Sequence, residues 1–449
     1  MINNINDTFY WKKYFQTNYF RKKTEMKIFK FGGASVKDYK AVINVGEILR
    51  LHQDEELVVV VSAMGKTTNA LEAIIASFSK GNPSETEKLI LELKDFHHTI
   101  IQGLGLNQTS DLLNEITPIF DWLKDKCKGE FGDYDFEYDQ IISLGEVLST
   151  KIINNYLQNE NFKSTWVDAR KLIRTNNRWR EGRVDWELSE NLIQAEINSV
   201  FENGNRIAVT QGFIGHEEEG YTTTLGREGS DFTAAIFAYC LNANDVTIWK
   251  DVPGMLNADP KYFDNTVLLE KISFKEAIEL AYFGASVIHP KTIQPLKRKK
   301  IPLYIKSFIN PREEGTVIQE SLAFDDNIPS FIFKMNQTLI SLTPRDFSFI
   351  VEENLERIFG YLNTQKIRVN LMQNSAVSFS FVVDHSKINL EKLVDFFQED
   401  YLVKYNSSLE LVTIRHYDEP TIDRVTIGKD VMLEQKSRHT ARMVLKDLD

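Results

Sequence analysis

Two hydrophobic periods alternate along most of the chain. Met26–Phe29 reads as a short strand, and Leu57–Val61 is an unbroken Val-rich run of the kind buried on both faces of a sheet. Between them Ala41, Val42, Val45 and Ile48 fall on one face of a helix. Further strands are expected at Phe162–Val167, Arg206–Val209, Asp245–Trp249 and Leu303–Lys306. Helical patterns separate them: residues 86 to 130, broken around Gly103-Leu104-Gly105; a helix through Ser143–Thr150; an Ala-rich helix from Phe232; and one near Phe274–Phe283. Such alternation predicts an α/β sheet with ligands at the carboxyl ends of its strands.

After a loop-like stretch at 307–328, with Asn310-Pro311 and Gly315, the pattern changes. Residues 330–404 read β-α-β-β-α: strand Phe331–Leu342, helix Asn354–Thr364, strands Arg368–Met372 and Val377–Val383, helix Leu390–Gln398. Residues 409–446 repeat a shorter version, with strand Leu409–Arg415, a helix from about Pro420 and strand Ala441–Leu445. Small sheets with helices on one face suggest ferredoxin-like modules. The expected domains are therefore 26–320, a first module at 330–404 and a short second module at 405–449. Residues 1–25 are basic and aromatic and lack the apolar core of a signal peptide, so they read as a disordered extension outside the fold. Met26 opens the first strand directly and is a candidate true start.

The length of 449 residues allows two or three domains and a large core. The net charge of −11 argues against nucleic acid as the main partner, because phosphate contacts need a basic face. It does not argue against ATP, for which a local cluster of lysines and amides suffices. Cys127 and Cys240 stand far apart in no metal-ligand spacing, which suits a reducing cytoplasm. His97-His98 has no matching ligand pair and reads as a solvated helix face, so no bound metal is expected. No apolar run reaches the ~18 residues needed to span a membrane.

Candidate chemistry gathers at strand exits. Lys30-Phe31-Gly32-Gly33-Ala34-Ser35 lies where the first strand meets a helix. Glycines there let backbone N–H groups approach a phosphate, and a lysine adds a full charge. The second exit, Ser62-Ala63-Met64-Gly65-Lys66-Thr67-Thr68-Asn69, imitates the end of a P-loop, but Val60 stands where that motif needs its first glycine. The segment reads equally as a polar-ligand loop or as an N-capping cluster. Glu146 sits in an apolar helical stretch, either as an edge residue or as a buried carboxylate needing a cation. Thr222 to Asp231 is the densest stretch, with Arg227 near the two glycines Gly226 and Gly229 and Ser230-Asp231 at a natural helix start. Lys250-Asp251-Val252-Pro253-Gly254 opens a long loop closing at Asp259-Pro260-Lys261.

These motifs, in this order and with Gly284-Ala285 and Val287-Ile288-His289-Pro290, closely resemble the aspartate kinase family, strongly over 26–320 and more loosely over 330–446. The resemblance implies an amino-acid-kinase αβα sandwich followed by ACT regulatory modules. It implies transfer of a phosphoryl group from MgATP to the β-carboxylate of L-aspartate. Lys30 would stabilise the transferring group, and Asp231 would orient Lys30 or the substrate. Phe31, Gly32, Gly33, Lys250, Asp251, Leu256, Lys261, Ser286 and Val287 would join Lys30 at ATP. Ser62, Thr68, Glu146, Arg227, Glu228, Gly229 and Ser230 would hold aspartate, with Glu146 on its ammonium and Arg227 on its α-carboxylate. A carboxylate acceptor is already ionised at pH 7 and needs no general base, consistent with the lack of a His or Cys constellation.

Several positions depart from the family pattern. Ala34 replaces a threonine, Glu228 a glycine, Leu256 a tyrosine and Ser286 a lysine. Glu228 is expected to point away from an anionic substrate. Asn370 and Ala376 stand where lysine-inhibited members carry acidic residues, while Ser375 is kept. Asn370 and Ser375 are thus the candidate effector contacts, with lysine, threonine or no effector left open. ACT modules imply a homodimer, and no membrane partner is expected. The alternatives are another amino-acid-kinase-fold enzyme, acting on acetylglutamate, glutamate or UMP, and a non-catalytic amino-acid sensor.

Overall fold

The computed structural model describes residues 25–106, 110–263, 265–285, 288–321, 323, 325, 328–346 and 348–448. The chain forms two compact units. One runs to Gly254 and resumes over Lys291–Glu320; the other comprises Met255–Pro290 and Ser321–Asp449.

The first unit is built on β1 (Met26–Phe31), β2 (Glu56–Val61), β3 (Ser164–Val167), β4 (Ile207–Gln211), the ribbon β5 (Ile214–His216) and β6 (Thr222–Thr224), and β7 (Asp245–Lys250). After β8 (Lys271–Ser273), which belongs to the second unit, it adds β9 (Leu303–Ser307) and β10 (Thr316–Gln319). Its strand order is β3-β4-β2-β1-β7-β9-β10. All these pairs are parallel except β9–β10. The chain passes from β1 to β2 on one side and later returns to β7 on the other. That switch opens a crevice beyond the carboxyl ends of β1 and β7, where open α/β sheets bind ligands.

Local sequence explains why the crevice is rigid. Every residue of β2 is buried, as its apolar run requires. Phe29, Phe31 and Trp249 face one side of the sheet and join the core beneath the helix Tyr39–Arg50. Alternation then sends Lys30 to the other side. There the Ala-rich helix Gly229–Leu241 packs across β1, β2 and β7, and its small residues are almost wholly buried. The break expected near Gly103 separates helices Pro83–Gly103 and Ser110–Lys126, with Gly105 at φ +72°. The ribbon β5–β6 is not expected from sequence, because three-residue strands carry no measurable period.

The second unit contains β11 (Ser330–Pro344), β12 (Val369–Asn374), β13 (Phe379–Asp384), β14 (Tyr401–Arg415), β15 (Lys429–Lys436) and β16 (Thr440–Asp447). They form one antiparallel sheet in the order β12-β13-β11-β14-β16-β15. Helices Glu352–Thr364 and Leu390–Phe397 cover Ile340, Leu342, Phe379 and Phe381, while Glu419–Thr426 covers Val412, Ile414 and Met443. Two features differ from the expected partition. β14 runs through the 404/405 boundary, and the two modules share the long β11–β14 pairing. Met255–Pro290 groups with this unit, tied by Phe331 N donating to Asn257 O at 2.6 Å and Asn257 Nδ2 to Pro329 O at 3.0 Å. The edge strand β15 is mostly exposed, and Leu433 packs against the cluster of Leu339, Leu371 and Val444. No helix among the described residues is long and apolar enough to cross a membrane.

Candidate active site

Lys30 leaves β1 on the face opposite the aromatic core and is 8% exposed. Its Nζ lies 2.6 Å from Asp231 Oδ1. Register pairs Lys30 with Ile248, so Lys250 emerges two residues further along the neighbouring strand. Its Nζ lies 3.5 Å from the other carboxylate oxygen, Asp231 Oδ2. One buried carboxylate in the first turn of the central helix therefore gathers two lysines at the switch point. Burial works to raise the Asp231 pKa, but the Lys30 and Lys250 charges and hydrogen bonds outweigh it and hold it below the usual value.

A cavity of about 490 Å³ opens from this clamp and is lined by Lys30, Ser62, Thr68, Glu146, Arg227–Asp231 and Lys250. Glu146, 4% exposed, lies in the first turn of the helix Leu144–Asn159. Its Oε1 accepts from Ala63 N at 3.3 Å, while its Oε2 is buried with no hydrogen-bond partner. Burial pushes its pKa to about 8. The edge-residue reading is thereby excluded: this is a buried carboxyl with one oxygen left for a ligand. Thr68 stands in the first turn of the helix Thr67–Ser79, which has no side-chain cap, so the capping reading of that cluster does not hold. Arg227 is exposed on the opposite loop.

The glycines act chiefly by steric economy. A Cβ on Gly33 would come within 2.9 Å of the Ala63 carbonyl oxygen and 3.2 Å of that of Gly65. Gly65 N donates to Gly33 O at 3.1 Å, so the two strand-exit loops pack backbone to backbone. A Cβ on Gly32 would stand 3.1 Å from Lys30 Nζ. Phe31 turns its ring into the core, stacked on Trp249, which leaves only its backbone for a ligand. Gly229 abuts Phe213, where a Cβ would meet Cδ2 at 2.6 Å. The helix begins at Gly229, so Ser230 and Asp231 are its second and third residues and Glu228 is its cap, at φ 53°. Glu228 is half-buried and lines the cavity, with Oε2 shielded and unpartnered, contrary to the expectation that it turns away.

Tyr138, Arg180, Phe213 and Thr224 also line the cavity and were not singled out in the sequence. Buried Asp139 places two of them, accepting from Arg180 N at 2.9 Å and from Thr224 N and Oγ1 at 2.9 and 2.7 Å. The Arg180 guanidinium stacks 4.4 Å over the Tyr138 ring, and its backbone is left-handed at φ 64°. No local periodicity announces such a residue. Asp251 follows β7 and is exposed. Leu256 and Lys261 belong to the second unit, where Leu256 bridges to Leu268 and Lys261 N donates to Asp259 Oδ1. Ser286 and Val287 lie outside the described residues, as does all of 1–24. In the second unit the Asn370 amide is already engaged: its Oδ1 accepts from Lys334 Nζ, and its Nδ2 donates to Gln337 and Asp384. Ser375 is exposed and bonds within its own turn to Ser378.

A sequence model of the amino acid kinase family matches residues 25–307. Lysine-sensitive aspartokinase 3 of Escherichia coli (strain K12) is 31% identical over 370 residues, covering 80% of this chain and 79% of that protein. Two crystal structures of E. coli aspartokinase III are similar throughout: one in complex with lysine and aspartate (T-state) at TM-score 0.78 and 27% identity, one with aspartate and ADP (R-state) at 0.73 and 28%. Each covers 94% of this chain and 96% of that one. The chain belongs to the amino acid kinase family and, within it, to the aspartokinases.

Proposed function

We propose that this protein transfers the γ-phosphoryl group of MgATP to the β-carboxylate of L-aspartate, giving 4-phospho-L-aspartate, the opening step toward lysine, threonine and methionine. The observation that carries this reading is one cavity holding the Lys30–Asp231–Lys250 clamp together with the half-satisfied carboxyl of Glu146. Lys30 and Lys250 place positive charge against the negative charge on the transferring phosphoryl oxygens, and Asp231 fixes both ammonium groups in advance. Glu146 Oε2 takes the aspartate ammonium, and Arg227 takes its α-carboxylate. Ser62, Thr68, Gly229 and Ser230 supply the remaining polar contacts. Mg²⁺ enters with the nucleotide as MgATP, while Asp231 is committed to Lys30 and Lys250.

Glu146 favours aspartate over acceptors without a free ammonium, since a blocked amine leaves Oε2 buried and unpaired. The retained clamp speaks against a non-catalytic sensor. We place the kinase over 26–320 and ACT-type regulation in the C-terminal sheet, with a homodimer as the working form and the cytoplasm as its setting. Lysine or threonine is the effector class. The deciding experiment measures ADP release with L-aspartate, acetylglutamate and UMP in parallel. Turnover confined to aspartate is expected; turnover with acetylglutamate or UMP instead would replace this reading.

A further inference from the structure

A second cavity, of about 360 Å³, lies in the first unit behind the loop that carries Arg227. Arg178, Arg183, Lys291 and Arg298 line it, along with Trp186 and Phe232. Against these four cations stands one carboxylate, Glu181, which is itself paired with Arg178 at 2.8 Å. A net of three positive charges in one cleft runs against a chain whose overall charge is −11. Neither Arg183 nor Arg298 has an ion-pair partner among the described residues, whereas adjacent Lys299 is paired with Glu190. Lys291 is half-buried, and burial lowers its pKa, with the Glu181 charge opposing and the Arg178 charge adding to that shift.

The cleft is tied to the active-site loop at three points. Lys291 Nζ donates to the Leu225 carbonyl at 2.8 Å, two residues before Arg227. Gly182 N donates to Thr224 O at 2.8 Å. Phe232, the residue after Asp231, forms part of the wall, with Lys291 Nζ 4.7 Å from its ring centre. The segment 178–183 has two aspects: Arg180 lines the active cavity, while Arg178 and Arg183 line this one.

We infer that this cleft binds a compact phosphate polyanion and that its occupancy alters the aspartate site. Guanidinium forks match phosphate oxygens in pairs, and the volume suits pyrophosphate or a small organic phosphate. An anion drawing Lys291 from the Leu225 carbonyl changes the support of the loop that presents Arg227. The binding claim stands apart from the aspartokinase reading; the effect on aspartate rests on it.

The test is calorimetric titration of the full chain with sodium pyrophosphate, without Mg²⁺, at low ionic strength. Wild type is expected to bind. Arg183→Glu/Arg298→Glu is expected to bind at least about tenfold more weakly, the loss from reversing two charge-assisted contacts. A control pair of equal charge change on exposed lysines, Lys128→Glu/Lys163→Glu, is expected to bind as wild type. AMP in place of pyrophosphate distinguishes a ring-bearing from an inorganic occupant. Without anion, ADP release by the cleft variant should match wild type, showing that it is folded. Added pyrophosphate should shift the aspartate KM of wild type and leave that of the variant unmoved. Absence of wild-type binding up to millimolar pyrophosphate, or equal affinity in wild type and cleft variant, overturns the site. Equal weakening in the control pair assigns the effect to net charge and also overturns it. Binding without a KM shift overturns the coupling alone, and failure of aspartate turnover itself strikes the aspartokinase reading, not the site.

Discussion

Lys30 and Asp231 form the pair on which the chemistry depends. Their 2.6 Å contact is buried, and the second lysine shares the same carboxylate. Removing the Lys30 ammonium deletes one preorganised charge at the transferring group. We expect Lys30→Ala to lower kcat by about 10²–10³-fold, read by steady-state ADP release; a near-wild-type kcat would remove Lys30 from that role. Glu146 makes a prediction of different kind. Burial sets its pKa at about 8, so it is mostly protonated at pH 7. It must lose that proton to pair with an ammonium. Aspartate kcat/KM should therefore rise from pH 6 to about 8 and level off above, and Glu146→Gln should be both weak in aspartate binding and flat over that range. A profile with the same rise in the Gln variant would assign the titration to another group.

Elements set how closely these residues can meet. The two strand-exit loops touch through Gly33 and Gly65, with no room for a side chain. Gly33→Ala is expected to cost about 1–3 kcal/mol in denaturant unfolding, the usual range for overpacking, and to lower kcat by displacing the Lys30 strand end. Unchanged stability and kcat would show that the loops yield freely. In the second unit, Glu276 on the helix Phe274–Phe283 receives both Nε and Nη2 of Arg415 on β14, at 3.0 and 2.5 Å, out of solvent. Removing the carboxylate strands a buried guanidinium, so Glu276→Ala should destabilise by about 3–5 kcal/mol. Burial raises the Glu276 pKa, but hydrogen bonds from His416 and Arg415 outweigh it and depress it. Its contribution is therefore full above the ordinary carboxyl pKa and fades as pH falls through the lower folded value. Equal stability of variant and wild type at pH 7 would refute the assignment.

At the scale of the whole molecule, two units of different architecture share one chain, and the second interrupts the first in sequence. The long β11–β14 pairing makes the C-terminal sheet a single body, so its two module-like halves should not unfold separately. If that sheet pairs subunits, light scattering should return twice the chain mass; a monomer mass would reject the dimer. The E. coli relative binds lysine in one of its crystal structures, yet the Asn370 amide here is spent within the fold. Lysine and threonine therefore need to be compared directly in the kinase assay.

Much of this was readable from residue order alone. Long or strongly periodic elements such as β2, the helix Tyr39–Arg50 and the helix Leu390–Phe397 announce themselves, because burial on one or both faces constrains every side chain along them. The strand-exit motifs carrying Lys30, Arg227, Asp231 and Lys250 were legible for a related reason: backbone turns and helix starts restrict residue type locally. What tertiary structure alone decided depends on contacts between distant segments. Asp231 bridges two lysines only because β1 and β7 are neighbours across the switch point, and Asn370 loses its freedom only because Lys334 and Asp384 flank it. Glu146 had two readings in sequence, and burial chose between them. Arg180 and Thr224 are placed at the cavity through Asp139, a link between residues far apart in the chain. Local pattern records which face of an element is buried; only the assembled sheet determines which charges then face one another.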